Sequence, residues 1–196
     1  MTIKLRLWQH EAVQKSLFWL LTARKDRHFV LNTAPASGKT IAACEIAREL
    51  IDRGEIDRVI VIAPRAEIVN QWAADFQRVT GRFMSKVTAA DGDLQHLGVD
   101  VCATWSAVQG LQDAFQAVCN SARVLVICDE HHHAAVKAAW GDSTDSAFAI
   151  LAGDSKFGNF NTFGAQILEP PRTHCQKIIT LMTWNSNQFV SKPRSP

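Results

Sequence analysis

Two short stretches hold the residue types from which phosphate and metal chemistry can be built. The first, Arg27 to Thr40, reads R-H-F-V-L-N-T-A-P-A-S-G-K-T. Its apolar run Phe29–Leu31 predicts a buried strand, which breaks into small, turn-forming residues before Gly38-Lys39-Thr40 opens a helix. A loop of this kind aims successive backbone N–H groups, the positive end of a helix and one lysine at a common spot, which suits a polyphosphate. Thr40 would offer its hydroxyl to the Mg²⁺ that accompanies such a ligand. The full pattern wants glycine where this chain has Thr33, and an ordinary strand–loop–helix corner with a solvated lysine is the plain alternative.

The second stretch is Asp129-Glu130-His131-His132-His133, at the end of the apolar run Val124–Cys128. Two adjacent carboxylates at the carboxyl end of a strand suit metal-assisted phosphoryl chemistry: the first can hold Mg²⁺, the second can orient and deprotonate an attacking water. The competing reading is an acidic turn that caps a following helix. The three histidines do not suggest zinc, because consecutive side chains diverge on a helix or a strand.

These residues need elements to position them. Apolar spacing at Val13, Leu17, Leu20 and Leu21 predicts a helix over Trp8–Leu21. A second helix is expected over Lys39–Arg53, with Ala43, Ala47, Leu50 and Ile51 aligned and Gly54 as its stop. Val59–Ala63 is a continuous apolar run, the kind found in parallel strands covered on both faces. Pro64 ends it, and Val69, Trp72, Phe76 and Val79 then form a helical stripe closed by Gly81. A weak strand at Lys86–Ala90, a strand at Val99–Ala103 followed by Thr104, a helix over Ala107–Cys119 and the Val124–Cys128 strand complete the pattern. Strands alternating with helices imply right-handed crossovers and a parallel α/β sheet, in which ligands bind beyond the carboxyl ends of the strands. Both chemical stretches fall there.

Bulk properties narrow the field less. Of 196 residues 47% are hydrophobic, enough for one domain with a core, and the net charge of +2 neither announces a nucleic-acid binder nor excludes one. Residues 1–150 hold 16 Lys+Arg against 17 Asp+Glu, whereas residues 151–196 hold 5 against 2. The five cysteines (Cys44, Cys102, Cys119, Cys128, Cys175) are odd in number with no C-x-x-C pair, which favours reduced thiols in a cytoplasmic protein. Neither a signal core nor an apolar run of about 18 residues is present, so no membrane partner is expected. From Gly153 the chain turns to G-D-S-K-F-G-N-F-N-T-F-G, then Pro170-Pro171, and only Lys177–Thr183 resembles a strand. Residues 1–150 are therefore expected to form the domain, and 151–196 an atypical extension, disordered or truncated.

D-E-H-H at Asp129–His132 resembles the DExH box of superfamily 2 helicases and translocases, and T-A-P-A-S-G-K-T resembles their motif I, a variant of the Walker A loop. K-L-R-L-W-Q-H-E-A is similar to the opening of the repair and restriction-type branch. V-I-V-I-A-P-R-A-E-I-V-N-Q-W is similar to motif Ia, and V-C-A-T-W-S-A-V to a later strand–Thr motif. The likeness covers residues 3–148 in the family's order. It implies a three-layer RecA-like P-loop domain with a mostly parallel sheet, plus an irregular C-terminal extension. It also implies ATP and Mg²⁺ as cofactors, and as partners a nucleic acid, DNA rather than RNA, and a second RecA-like lobe in cis or trans. Carried over by residue, Gln9 would read the adenine edge, and Lys39 would contact the β/γ phosphates beside the backbone amides of Ala36, Ser37 and Gly38. Thr40 and Asp129 would hold Mg²⁺, Glu130 would be the general base, His132 would couple the ATP and nucleic-acid sites, and Arg65 and Thr104 would lie by the strand-binding surface. Trp8 and Trp72 read as core rather than as stacking platforms.

Three departures qualify the resemblance. Thr33 and Ala36 stand where Ala or Gly is common, so phosphate binding is expected to be weakened, not abolished. No Ser/Thr-Ala-Thr or Thr-Gly-Thr-Pro strand follows Ala134–Ile150. No second lobe brings an arginine to the ATP site, a group that adds about 10³–10⁵ in rate to comparable hydrolases. The chain alone is thus expected to bind Mg·ATP weakly and not to unwind duplexes, with a non-helicase P-loop ATPase or an inactive motor-derived interaction module as the alternatives.

Overall fold

The computed structural model describes residues 3–23, 28–88, 99–129 and 177–183. Helix α1 (Leu7–Leu17) passes into a π-helical turn, Phe18–Ala23, and then β1 (His28–Thr33). There follow α2 (Lys39–Asp52), β2 (Arg58–Ala63), α3 (Ala66–Thr80), β3 (Met84–Val87), β4 (Asp100–Thr104), α4 (Trp105–Gly110), α5 (Gln112–Ser121), β5 (Val124–Asp129) and β6 (Lys177–Thr183). The strands form one sheet in the order β1-β6-β5-β2-β4-β3, and every pairing is parallel.

Layering follows from the pleat. Successive side chains of a strand point to opposite faces, so Val59, Val61 and Ala63 of β2 join one core while Ile60 and Ile62 join the other. The first core holds Val13 and Leu17 of α1, Ile46 and Leu50 of α2, and Trp72 and Phe76 of α3. The second holds Ala107 and Val108 of α4 and Phe115 and Cys119 of α5. Three layers result, and they explain why β2 and β5 are apolar without alternation: both faces are covered. Among the described residues no helix is long and apolar enough to cross a membrane.

Several segments differ from the sequence-based expectation: the helix expected over Trp8–Leu21 turns π-helical from Phe18, and the weak strand expected at Lys86–Ala90 lies at Met84–Val87. The single helix expected over Ala107–Cys119 is two, α4 and α5, because Gly110 ends the first and Leu111 takes a non-helical conformation (φ −126°, ψ 34°). The larger difference concerns β6. The stretch 151–196 was expected to lie apart as an irregular extension, yet its one strand-like run, Lys177–Thr183, sits inside the sheet between β1 and β5. Its Ile179 and Leu181 are fully buried, and its register sets Ile179 beside Phe29 and Ile127, and Leu181 beside Leu31 and Asp129. A parallel neighbour can come from a distant stretch of chain, since parallel strands need a crossover in any case. Composition around residue 150 could not reveal that.

At the amino edge of the sheet, buried charge is closed off. Asp100, fully buried at the start of β4, accepts from the Val59 N–H at 2.8 Å and from Arg82 Nη2 at 3.1 Å, while Arg82 Nε lies 2.7 Å from its other oxygen. Arg123 pairs with Asp57 at 2.6 Å, joining the starts of β5 and β2. Lys177 Nζ reaches Glu55 at 3.2 Å and so anchors the start of β6.

Candidate nucleotide-binding site

The opposite, carboxyl edge of the sheet gathers the chemical residues. β1 ends at Thr33, and the chain turns through Ala34–Gly38 into the first turn of α2, which begins at Lys39. Two residues of this loop take left-handed conformations, Ala36 (φ 54°) and Gly38 (φ 93°). The alanine at 36 therefore stands where a glycine would sit without strain. Ser37 Oγ donates to Thr33 Oγ1 at 2.9 Å, so the threonine that departs from the Gly-rich pattern has a use, closing the loop across its mouth.

The loop is also held from outside. Gln9, buried in α1, donates through Nε2 to the Gly38 carbonyl at 2.9 Å and accepts at Oε1 from the Arg6 N–H at 2.8 Å. Arg6 Nη1 donates to the Ser37 carbonyl at 3.0 Å. Gly38 is favoured by its backbone angle, and a Cβ there would stand 2.8 Å from Gln9 Nε2 and force the amide end of that side chain to shift. Gln9, expected to read a base, thus has its Nε2 on the phosphate loop and its Oε1 on the N-terminal cap of its own helix.

Lys39 extends from the loop toward β5, where its Nζ lies 4.0 Å from Asp129 Oδ1. Two residues far apart in the chain therefore approach each other at one edge of the sheet, because β1 and β5 flank β6 with parallel registers that bring Thr33, Thr183 and Asp129 to that edge. Burial pushes the Lys39 ammonium below the usual lysine range, with Asp129 opposing that shift. The Asp129 side chain, 6% exposed, also accepts at Oδ2 from the indole Nε1–H of Trp72 at 2.8 Å. A carboxylate and the Thr40 hydroxyl are hard oxygen donors, the kind Mg²⁺ takes when phosphates fill the rest of its shell. The donor set fits.

Two further expected residues lie at this edge. Thr104 pairs in register with Ala63, and Arg65 stands two residues beyond Ala63. Arg65 is exposed at the start of α3, its carbonyl accepting from Ile68 and Val69 N–H. Thr104 is buried and caps α4, its Oγ1 accepting from the Ala107 N–H at 3.3 Å and lying 3.1 Å from the Ser106 hydroxyl. Glu130 and His132, with His131 and His133, lie outside the described residues. Cys44, Cys102, Cys119 and Cys128 are buried free thiols; burial pushes Cys119 up to about 12.

Sequence reasoning missed Trp72 as a partner of the site. It reads as core, and it is core, being fully buried. The available signal was chemical: a buried indole N–H nearly always finds an acceptor, and apolar surroundings leave few.

A parallel sheet covered by helices on both faces, with a lysine-bearing loop after its first strand and a carboxylate ending β5, is the layout of a RecA-like domain. Residues 2–152 match the family described as type III restriction enzyme, res subunit, and the chain belongs to that family. An uncharacterized protein of Mycobacterium leprae is 30% identical over 148 residues, covering 74% of this chain and 24% of its own length. An uncharacterized protein of Mycobacterium tuberculosis is 27% identical over 144 residues. The chain thus spans about a quarter of the length of these relatives. Among solved structures, the UvsW helicase of bacteriophage T4 superposes with a TM-score of 0.59 at 18% identity, over 92% of this chain and 52% of that one. A nuclease-deletion mutant of the type ISP restriction-modification enzyme LlaGI, in complex with a DNA substrate mimic, gives 0.57 at 16% identity, over 91% and 17%. At these identities the likeness is one of fold.

Proposed function

We propose that this chain is the ATP-binding lobe of a DExH-type nucleic-acid motor, which hydrolyses Mg·ATP to move a strand once a second RecA-like lobe closes over the site. The observation that carries the reading is the 4.0 Å approach of Lys39 Nζ to Asp129 Oδ1, across a loop whose glycine and capping helix are built for phosphate. In this reading Lys39 neutralises the β/γ phosphates, while the amides of the Ala36–Thr40 turn cradle them. Thr40 and Asp129 hold Mg²⁺, which when bound offsets the charge that develops on the phosphoryl group. Glu130, next along the chain, accepts the proton of the attacking water, and His132 relays the state of the site toward the nucleic acid. Arg65, exposed just beyond β2, faces the strand through phosphate contacts that set affinity without reading sequence, while buried Thr104 shapes the neighbouring turn into α4. The family's restriction-enzyme description and the DNA in the LlaGI complex support DNA over RNA as the partner. The domain itself comprises residues 1–150 together with β6, which lies in the sheet between β1 and β5. The second lobe belongs to another part of a longer protein or to another chain, as the quarter coverage of the relatives supports.

The test is a titration of the full chain with a fluorescent ATP analogue in Mg²⁺, wild type against Lys39→Ala. A charged hydrogen bond to phosphate contributes about 2–3 kcal/mol, so the variant should bind about 30- to 160-fold more weakly. Equal affinities would remove the lysine from the site. Nucleic-acid-stimulated turnover at motor-like rates by the chain alone would refute the need for a second lobe.

A further inference from the structure

We propose that Trp72 is a positioning residue that holds Asp129 in the orientation needed to take a divalent cation. This inference rests on the nucleotide-site reading above and adds a residue to it. Trp72 lies on α3, 57 positions from Asp129 in the chain, and is fully buried. Its only polar atom, Nε1, donates to Asp129 Oδ2 at 2.8 Å. A neutral donor on a buried carboxylate is a strong, directional contact, since the acceptor is ionised. With Oδ2 held, rotation about the last side-chain bond is arrested and Oδ1 is the oxygen that faces Lys39. The separation there is 4.0 Å, so Lys39 attracts the carboxylate as an ion pair. A phenylalanine or leucine would serve the core as well as an indole. What the indole adds is the N–H, and partners of this kind that orient a metal-binding group are worth about 10- to 100-fold in metal affinity. Because the donor is carried by α3, whose first turn starts at Ala66 just beyond Arg65, the aim of the carboxylate also depends on where that helix sits.

Trp72→Phe tests the idea, since it keeps the buried ring and deletes the donor. Affinity of the full chain for a fluorescent ADP analogue is measured in EDTA and across a Mg²⁺ titration. The expected result is an affinity in EDTA within about twofold of wild type and a Mg²⁺ requirement shifted about tenfold upward. A merely structural role would weaken both arms alike. Should the variant unfold, the wild-type chain answers by itself: Mn²⁺ added with nucleotide should broaden the assigned Trp72 indole N–H resonance before those of the other five tryptophans. An unshifted Mg²⁺ requirement in Trp72→Phe, equal losses in both arms, or a sharp Trp72 resonance while others broaden, overturns the proposal while leaving the nucleotide site standing. A wild-type affinity that ignores Mg²⁺ overturns the metal reading itself, and this proposal with it.

Discussion

Asp100 and Asp129 are two buried aspartates of one sheet, and they are treated in opposite ways. Asp100, at the amino edge, meets Arg82 through both oxygens and receives the Val59 N–H as well. Asp129, at the carboxyl edge, has the indole of Trp72 on one oxygen and a lysine held 4.0 Å from the other. The first arrangement ties β4 to β2 and to the segment after α3. The second sets a lysine ammonium 4.0 Å from a carboxylate at the edge where ligands bind in a parallel sheet. Burial costs a carboxylate much the same at either edge. What differs is the partner: an arginine and a backbone N–H for Asp100, an indole N–H and a more distant lysine for Asp129.

The largest expected effect separates the two acids directly. Asp100→Ala leaves Arg82 and the Val59 N–H without their acceptor and should lower stability by about 3 kcal/mol, as breaking a buried ion pair does. Asp129→Asn, which can still accept from Trp72, should cost less than about 1 kcal/mol, within the range of ordinary substitutions. Urea unfolding followed by circular dichroism checks both, and a reversed order would break the contrast.

Next in size is Gly38→Ala. A non-glycine residue in the left-handed region costs about 1–2 kcal/mol, and here the added Cβ also meets Gln9 Nε2. Combining it with Gln9→Ala should recover part of the loss, and strict additivity of the two in thermal unfolding would show that the close approach carries no energy. Gln9→Ala alone should loosen the phosphate loop, and its effect on adenine-over-guanine preference separates loop-holding from base reading.

The smallest effect is one of pH. The Arg123 hydrogen bond holds Asp57 down to about 2, below its unfolded value, so the native state favours the ionised form. That contribution is present above about pH 4 and is lost as pH falls toward about 2. The pair is solvent-exposed, so only a slight loss is expected. Asp100 has the opposite sign: burial raises its carboxyl in spite of Arg82. The native state takes up that proton more readily than the unfolded chain, so acid relieves a penalty there. Acid unfolding of Arg123→Gln should show a shallower dependence below pH 4 than wild type; an identical slope would remove Asp57 from the account.

Much of this protein was legible in its residues. Val59–Ala63 and Val124–Cys128 declared themselves as strands covered on both faces, and Gly38-Lys39-Thr40 and Asp129 marked the edge where ligands bind. Local chemistry sufficed, because a strand's apolarity and a loop's glycine are properties of neighbouring residues. Three things required the fold. Lys177–Thr183 became an internal strand because a sheet pairs backbones without regard to distance along the chain. Gln9 became a clamp on Gly38, and Trp72 a donor to Asp129, because a buried N–H pairs with whatever acceptor the tertiary arrangement brings within 3 Å. Residue types determined which chemistry was available; only the three-dimensional placement of α1, α3 and β6 decided which groups restrain it.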